Sequence, residues 1–487
     1  MSKPRPRGSR WGYRPRLHRL PLGPPARRGY AALTTAALGA AVLLAGSSCA
    51  PIPPPGTSPA PPTTGRAPAP KTPGAPGTPG QTTAPRPVPN VEPDLDIGLA
   101  WDLDSLAVSA ATKLSLHVAS ARGDLPLGGS PGAVAVRRHG DAWEIESRES
   151  GPSSNSTALA AADTLWIGGA GADARASRLR WAGKTWRGAG KVFIGPRGKL
   201  TFALRLPLET YLLGVVPGEI GGLNPGLLQA GRAQAIAARS YTLFYRGRRG
   251  TEGFDLYGTV EDQVYGPVDT ERDLATQCVT GTRGSVALYR GLPIRANYCS
   301  TCGGITADVW EAWPTAALDY LVSHRDESPS GDFCASSPQY RWREVWSAAE
   351  FVSDVTRYAP LQGVALPPGG IGDLVDVAAE RRSRSGRVWQ LRVRGTTGDV
   401  LIPAYSIRQV LRRGGNPTAI LRSNLFKIDV LRDRPTRRAA SVIASGGGSG
   451  HGVGLCQTGA LGMARTGKSA EAILQHYYPG IDLKRIY

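Results

Sequence analysis

The sequence lacks the dense basic stripe of a nucleic-acid-binding protein, although its 487 residues include 58 Lys and Arg against 38 Asp and Glu, a net charge of +20. Nine of the basic residues, and no acidic residue, fall within residues 1–30, and the remainder are spread thinly along the chain. This distribution removes the main reason to expect a nucleic-acid partner, so none is predicted. A moderately basic surface instead suits polyanionic surroundings such as a cell wall or lipid headgroups.

The sequence offers little that could anchor it in a membrane beyond one short N-terminal run. Ala31–Gly46 is free of charge for sixteen residues, follows Arg27-Arg28, and leads into Ser47-Ser48-Cys49. A basic segment, an apolar segment and small residues are the parts of a secretory signal, and this run is marginal as a permanent span. We therefore predict an export signal over residues 1–48, with the protein membrane-tethered or in the cell wall or extracellular space.

Two details of this signal stay open. The adjacent arginines permit a twin-arginine route, or are two ordinary basic residues before the signal. Cys49 stands where a bacterial lipoprotein is cut and acylated, and the alternatives are a plain signal or an uncleaved anchor. Membrane contact is expected through this N-terminal anchor only.

Cysteine is scarce, and its spacing gives no complete metal motif. If Cys49 is lipidated, an odd number remains, which allows at most two disulfides and one free thiol. Cys299-x-x-Cys302 has neither a second C-x-x-C nor a nearby histidine pair. Outside the cell a disulfide is the expected fate of such a pair, so we predict no metal and no cofactor. Whether an ion binds at the Cys299/Cys302 loop is left open. The cysteines after Cys49 are Cys278, Cys299, Cys302, Cys334 and Cys456.

Composition divides the chain into four parts. Residues 51–90 contain fifteen prolines among Gly, Thr, Ala and Ser, so residues 49–94 are expected to form a disordered tether. Residues 95–199 show short β-type runs, such as 114–118 and 133–136, and are predicted to be a strand-rich lead-in domain. Residues 200–487 are predicted to form a further domain, with a strand-rich insertion at about 346–435.

Local patterns predict an α+β fold that is strand-rich, with one long buried helix and a short C-terminal helix. Residues 191–194 and 199–206 flank a Gly-Pro-Arg-Gly turn and indicate a β-hairpin. Asn224 and Pro225 are good starting residues for the long helix 227–245. Ser469 precedes a short helix over 470–477.

Two loops carry residues suited to chemistry. Glu219 follows an apolar, strand-like run and precedes the long helix. A carboxyl in apolar surroundings has a raised pKa and suits a general acid, and the alternative is a solvated loop glutamate. The Gly-rich loop 449–460 exposes His451, Cys456 and Gln457, so a Cys/His nucleophile pair is conceivable, although no orienting third group is evident.

Five segments in order give the chain its resemblance to a known family. They are Leu206–Glu219, Leu228–Tyr241, Asp262–Gly266, Ser300–Thr306 and Gly450–Ala460. Together they resemble the stage II sporulation protein D family, also called the amidase-enhancer family, from about residue 200 to 487. Each segment alone is a weak signal, and the five together are specific.

The resemblance implies a lytic transglycosylase that acts on peptidoglycan glycan strands from which stem peptides have been removed. The family's catalytic acid falls on Glu219, which would protonate the oxygen of the MurNAc–GlcNAc β-1,4 bond. The carboxylate would then take a proton from the sugar's C6 hydroxyl, giving a 1,6-anhydro end without activated water. The implied substrate-binding residues are Arg239, Gln263, Tyr265, Ser300, Thr301, His451 and Gln457.

Several alternatives stay open. As an alternative to substrate contact, Arg239, Gln234 and Gln263 would do no more than satisfy buried backbone groups. The whole domain could be a non-catalytic glycan-binding module that recruits an N-acetylmuramoyl-L-alanine amidase, or a Cys/His-dependent wall hydrolase. The chain also departs from the family pattern. Ile220-Gly221 stands where Met-Pro is usual, and the 257–262 stretch lacks the Cys pair with which some relatives hold zinc, so no zinc of that type is expected.

Overall fold

The structure is a computed structural model that describes residues 87–487, except 122, 131, 140–141, 149–153 and 170–176. The predicted export signal and most of the predicted tether lie outside the described residues. Within the described residues, no helix has the length and apolar character needed to cross a membrane. The α-helices are α1 (Leu208–Glu219), α2 (Leu228–Tyr245), α3 (Asp273–Gly281), α4 (Ala348–Tyr358), α5 (Ala404–Val410), α6 (Gln457–Arg465) and α7 (Ala470–Tyr477).

The strands fall into three stretches of the chain. Those before α1 are β1 (Asp94–Leu103), β2 (Ser105–Ser109), β3 (Leu114–Ser120), β4 (Gly123–Ser130), β5 (Ala133–His139), β6 (Ala142–Arg148), β7 (Ser154–Ala160), β8 (Thr164–Gly169), β9 (Arg178–Trp181), β10 (Lys184–Arg187), β11 (Ala189–Ile194) and β12 (Leu200–Pro207). Those between α2 and α4 are β13 (Leu256–Tyr257), β14 (Ser285–Tyr289), β15 (Leu292–Pro293), β16 (Tyr298–Cys299), β17 (Glu327–Ser328), β18 (Gly331–Asp332) and β19 (Arg341–Ser347). The rest are β20 (Leu374–Arg382), β21 (Val388–Gly395), β22 (Asp399–Pro403), β23 (Arg412–Arg413), β24 (Asn416–Ile420), β25 (Phe426–Arg432), β26 (Ala439–Gly447), β27 (Leu455–Cys456) and β28 (Asp482–Arg485).

The first twelve strands form two sheets that share one apolar core with the helices α1, α2, α3, α6 and α7. The larger sheet has the order β13-β1-β12-β11-β8-β3-β4, and the smaller has the order β10-β9-β2-β5-β6-β7. Because β1 pairs with β12, the chain before residue 200 and the chain after it belong to the same sheet. The boundary predicted between residues 199 and 200 falls inside the β11–β12 hairpin.

The locally encoded elements form where the sequence predicts them. The β11–β12 hairpin closes with Ile194 opposite Leu200, and the side chains of Leu200, Phe202, Leu204 and Leu206 are buried. The carboxamide of Asn224 accepts a hydrogen bond from the Gly226 N–H at 3.0 Å, and a short 3₁₀ turn leads into α2. The Ser469 hydroxyl accepts from the Ala472 N–H at 3.1 Å at the start of α7.

One expectation is wrong. The apolar run before Glu219 is helix α1 and not a strand. The run is buried on nearly all sides between the larger sheet and helices α2 and α3, so it shows no amphipathic period. A short, continuously apolar segment cannot be assigned by periodicity alone. The expected fold class is confirmed: the described residues form a strand-rich α+β structure.

A second apolar core lies in residues 342–444. It is formed by α4, α5 and the three-stranded sheets β19-β26-β25 and β20-β21-β22. Trp346 and Phe351 lie at its centre, fully buried and edge to face with ring centroids 5.6 Å apart. The stretch predicted as a strand-rich insertion therefore contributes its own core.

Candidate active site

Glu219 is the last residue of α1 and lies among buried apolar residues. Its side chain is 7% exposed, and Val215, Val216 and Ile220 nearby are buried. Helix α1 follows directly from β12, and the Ile220 N–H bonds the Val216 carbonyl at 3.1 Å to end the helix. Glu219 is thus held at the end of a rigid element and retains a small exposed surface.

Gln457 reaches Glu219 from the far end of the chain. Its Nε2 donates to the Glu219 Oε2 at 3.4 Å. Gln457 is the first residue of α6, directly after the short strand β27, which pairs in parallel with β16. The Gly-rich loop 449–460 and the segment that begins at Tyr298 therefore meet beside the Glu219 carboxyl.

The loop before β27 needs its glycines. Gly450, Gly452 and Gly454 have φ angles of 106°, 80° and 70°, in the region that only glycine adopts readily. A Cβ on Gly454 would lie 2.1 Å from the Asn297 carbonyl oxygen. Glycine at this position lets the loop approach the 297–302 segment closely enough for β27 to pair.

A hydrogen-bond network centred on Gln263 lies next to Glu219. The Gln263 Oε1 accepts from the Thr242 hydroxyl at 2.7 Å and the Tyr211 hydroxyl at 3.3 Å. Its Nε2 donates to the Tyr298 hydroxyl at 2.9 Å. Burial raises the pKa of Tyr298 well above its usual value, and the nearby negative charge of Glu219 adds to that shift. Tyr298 is therefore a neutral hydroxyl beside the carboxyl.

A second carboxylate near this network is fully engaged in other contacts. Asp262 is buried, and its Oδ1 and Oδ2 lie 3.1 Å from Arg248 and Arg249, respectively. Its Oδ2 also accepts from the Tyr257 N–H at 2.9 Å. These bonds leave Asp262 poorly suited to activate a water molecule opposite Glu219.

The structure argues against sugar contact by Arg239. Its guanidinium is fully buried and forms a bidentate ion pair with Glu209, at 2.8 Å from Nε and 2.7 Å from Nη2. Its Nη1 also donates to the Ser285 carbonyl at 3.0 Å. Burial acts to raise the pKa of Glu209, but the hydrogen bond and charge of Arg239 outweigh burial, so the pKa is lowered. This pair links α1 to α2.

Three further residues expected to bind substrate also lie in the interior. Gln263 is fully buried in the network described above. The Tyr265 ring is buried against Trp186 and Tyr211. The buried Thr301 hydroxyl lies 2.8 Å from the Ser337 hydroxyl. Each contributes to the shape of the site, and the expectation of direct sugar contact is corrected for all three because their side chains do not reach the surface.

Ser300 and His451 keep partly exposed side chains. The Ser300 carbonyl accepts from the N–H of Thr458 on α6 at 3.1 Å, which fixes the backbone. The His451 ring packs on Trp313 with centroids 4.7 Å apart, and its Nδ1 accepts from the Val453 N–H at 3.0 Å.

His451 is a neutral donor in this environment. Desolvation, together with the positive charges of Arg408, Arg295 and Arg387, lowers the pKa of His451 to about 3. Its Nδ1 is an acceptor, so the proton of the neutral ring is on Nε2. His451, Ser300 and Gln457 remain as candidates for substrate contact.

The Cys/His pair suggested by the Gly-rich loop does not form. The Cys456 Sγ accepts from the N–H groups of Cys302 at 3.2 Å and Gly459 at 3.3 Å. No hydrogen bond joins it to His451 in the described part of the chain. Burial raises the pKa of the Cys456 thiol well above its usual value, which disfavours the nucleophilic thiolate.

Sequence reasoning missed Tyr298 and Asp326. Tyr298 directly precedes Cys299, but its place beside Glu219 follows from the fold, which brings it to Gln263, a residue distant in sequence. Asp326 lies with Cys302, Cys334 and Cys456 in a buried group that has donor atoms suited to a metal ion.

Comparison with known proteins agrees with this architecture. The family described as Stage II sporulation protein matches residues 196–289, which contain β12, α1 with Glu219, α2 and Gln263. A second family, described as a domain of unknown function (DUF8618), matches residues 329–454, which contain the second core.

Three curated relatives resemble this chain. Stage II sporulation protein D of Bacillus amyloliquefaciens is 29% identical over 295 residues, covering 57% of this chain and 74% of that protein. The amidase enhancer of Bacillus subtilis is 28% identical over 310 residues, covering 56% of this chain and 40% of that protein. An uncharacterized protein of Brachyspira hyodysenteriae is 28% identical over 293 residues, covering 60% of this chain and 70% of that protein. The chain is therefore similar to the family of stage II sporulation protein D and the amidase enhancer, and residues 196–289 match that family's model.

Proposed function

We propose that this protein acts on the cell wall as a peptidoglycan lytic transglycosylase, with Glu219 as its one catalytic acid and base. The observation that carries the proposal is the position of Glu219. It is a nearly buried carboxyl held at the end of α1 and bonded by Gln457 from the Gly-rich loop. Similarity to the stage II sporulation protein D family supports the cell-wall role.

The reaction begins with a proton transfer. Protonated Glu219 donates to the glycosidic oxygen of the MurNAc–GlcNAc bond while positive charge develops at the anomeric carbon. Gln457 and the Tyr298–Gln263 pair fix the surroundings of the carboxyl, so its orientation is set before substrate arrives. The neutral imidazole of His451 and the Ser300 hydroxyl are the groups we propose to contact the sugar chain.

The second step uses the same carboxyl as a base. The Glu219 carboxylate takes the proton of the C6 hydroxyl as that oxygen closes on the anomeric carbon, which gives a 1,6-anhydro ring and restores the acid. Val215, Val216 and Ile220 keep bulk water away from the carboxyl. A hydrolase would need a second carboxylate at a defined distance, and Asp262 is occupied by two arginines.

A non-catalytic role is the second candidate, and the likeness to an amidase enhancer favours it. In that role the cleft would bind glycan and recruit an N-acetylmuramoyl-L-alanine amidase, without need of an ionisable group at position 219. Under either function we propose that the protein is exported and reaches the wall from an N-terminal tether.

The two functions separate in one pair of assays with the full-length chain. Denuded glycan strands are incubated with wild type, Glu219→Gln and the control Glu471→Gln, whose carboxyl is exposed on α7. Strand cleavage and co-sedimentation with glycan are both measured. We expect Glu219→Gln to lose about 100- to 10,000-fold in cleavage rate while still binding glycan, and Glu471→Gln to resemble wild type. Cleavage unchanged in Glu219→Gln, or absent from wild type that still binds, would overturn the proposal in favour of the module.

A further inference from the structure

Four side chains far apart in sequence converge beneath the candidate active site. The Sγ atoms of Cys302, Cys334 and Cys456 and a carboxylate oxygen of Asp326 all lie within 4.8 Å of one another, and all four residues are buried. The Cys302 Sγ is 3.7 Å from the Cys334 Sγ and 3.0 Å from the Asp326 Oδ2. One carboxylate oxygen and three sulfurs therefore surround a common point.

The 3.7 Å between the Cys302 and Cys334 sulfurs matches tetrahedral coordination. Zinc–sulfur bonds of about 2.3 Å place two sulfurs of a tetrahedron about 3.8 Å apart. Sulfur atoms in a disulfide are about 2.05 Å apart, and such a bond would use only two of the three thiols. Three thiolates and one carboxylate form a donor set that selects a thiophilic ion with tetrahedral geometry.

The surroundings of the cluster resemble the supporting contacts of a metal site. The Asp326 Oδ1 accepts from the Tyr477 hydroxyl at 2.7 Å and lies 3.2 Å from the His476 Nε2, which leaves Oδ2 directed at the sulfurs. The Cys456 Sγ accepts two backbone N–H bonds. Hydrogen bonds to the carboxylate and to the sulfur orient these groups as metal ligands and stabilise their charge.

The absence of a side chain at Gly459 allows close packing at the cluster. A Cβ on Gly459 would come within 2.5 Å of the Asp326 Oδ2 and 3.2 Å of the Cys456 Sγ. The first turn of α6 can therefore pack directly on the four donors.

We propose that Cys302, Cys334, Cys456 and Asp326 form a structural zinc site. The ion joins three chain segments, namely the 300–306 loop, the 326–334 segment and the start of α6. Cys456 directly precedes Gln457, so the ion holds the residue that contacts Glu219. With four protein ligands the ion has no open position for a substrate, which makes its role structural.

Metal analysis of the full-length protein, purified under reducing conditions, tests this site independently of enzymatic activity. We expect one zinc per chain in wild type and in Cys278→Ser, a buried cysteine outside the cluster. Cys302→Ser and Cys334→Ser are expected to lose the ion. Zinc retained at full stoichiometry in Cys302→Ser would overturn the proposal.

A measurement on the unaltered sequence covers the case in which the serine variants fail to fold. Wild type stripped of metal is titrated with cobalt(II), and its absorption spectrum is recorded. The site predicts intense thiolate-to-cobalt charge-transfer bands and tetrahedral ligand-field bands that saturate at one cobalt and disappear when zinc is added. A spectrum without these bands, or peptide mapping that finds two of the three cysteines joined by a disulfide in the exported protein, would contradict it.

Discussion

Two buried glutamines differ in whether their carboxamides have hydrogen-bond partners, and they are therefore expected to affect stability in opposite directions. Gln263 has both ends of its carboxamide bonded by Thr242, Tyr211 and Tyr298. Gln234, on α2, is also fully buried, and neither its Oε1 nor its Nε2 has a partner among the described residues. A buried polar atom without a partner costs about 1–3 kcal/mol, whereas a bonded one is close to neutral or stabilising.

These two glutamines give stability predictions of opposite sign. Gln234→Met is expected to raise the free energy of unfolding by about 1 kcal/mol, because it replaces two unpartnered polar atoms with an apolar chain of similar length. Gln263→Met is expected to lower it by about 2–4 kcal/mol, because Thr242 and Tyr211 lose their acceptor. Urea unfolding of both variants measures the difference. A loss of stability in Gln234→Met would show that this amide has a partner in solution.

The low pKa of His451 predicts a pH dependence of stability. The folded protein binds a proton at His451 only near pH 3, whereas an unfolded histidine does so near its usual value of 6.5. The unfolded state therefore binds more protons between these values, and the contribution of His451 to stability is complete above about pH 6.5 and is lost as the pH falls towards 3. His451→Gln should remove this part of the pH dependence.

The measurement compares urea midpoints at about pH 7 and about pH 4.5. The midpoint of His451→Gln should fall less between these pH values than that of wild type. His117→Gln, on an exposed position of β3, controls for the removal of a histidine. An equal fall in wild type and His451→Gln would contradict the lowered pKa of this imidazole.

At the scale of elements, the Arg239–Glu209 pair holds α1 against α2. Arg239→Met leaves the Glu209 carboxylate buried with its main partner removed, and this kind of change costs about 3–5 kcal/mol. Arg137→Met removes an exposed arginine that lies 3.9 Å from Glu146, and its cost should stay below about 1 kcal/mol. Denaturant unfolding compares the two variants. Equal losses would show that the buried pair does not carry the stability assigned to it.

Helices and hairpins that depend on neighbouring residues were predictable from the sequence. Contacts between residues far apart in the sequence were not. The β11–β12 hairpin, the Asn224 cap and the start of α7 each depend on a few adjacent residues. The Gln457–Glu219 contact spans 238 residues and exists only because β27 pairs with β16. Likewise, the spacing of Cys299 and Cys302 suggested a local pair, whereas the fold brings Cys302 to Cys334 and Cys456. The family resemblance identified Glu219 as the candidate catalytic residue. Only the fold shows that Arg239 and Thr301 are buried and do not reach the surface.

At the scale of the whole molecule, buried polar contacts join the two apolar cores. Arg387, in the turn between β20 and β21 of the second core, donates through Nη2 to the Cys302 and Ile305 carbonyls at 3.0 Å. Its Nη1 donates to the Thr306 carbonyl at 3.2 Å. The Ser383 hydroxyl donates to the buried Glu311 carboxylate at 2.7 Å. The second core is thereby bonded to the loop that contains Ser300.

These contacts predict how the molecule unfolds. Arg387→Leu should remove the guanidinium donor from three carbonyls, two of them in buried contacts, and weaken the link between the cores. Thermal unfolding is therefore expected to separate into two transitions. Arg392→Leu, whose partners Glu380 and Asp399 are exposed, is the matched control and should unfold as wild type does. Calorimetry distinguishes the two patterns. A single transition in Arg387→Leu at the wild-type temperature would show that the cores are coupled by other means.

If one carboxyl performs both proton transfers, the reaction products carry a chemical end that hydrolysis does not give. Denuded glycan strands are incubated with the full-length protein or with Glu219→Gln, and the fragments are identified by mass spectrometry. We expect wild type to produce fragments that end in 1,6-anhydro-MurNAc and Glu219→Gln to produce none. Fragments with ordinary reducing ends, which carry one added water molecule, would contradict the account because they require a second group that activates water.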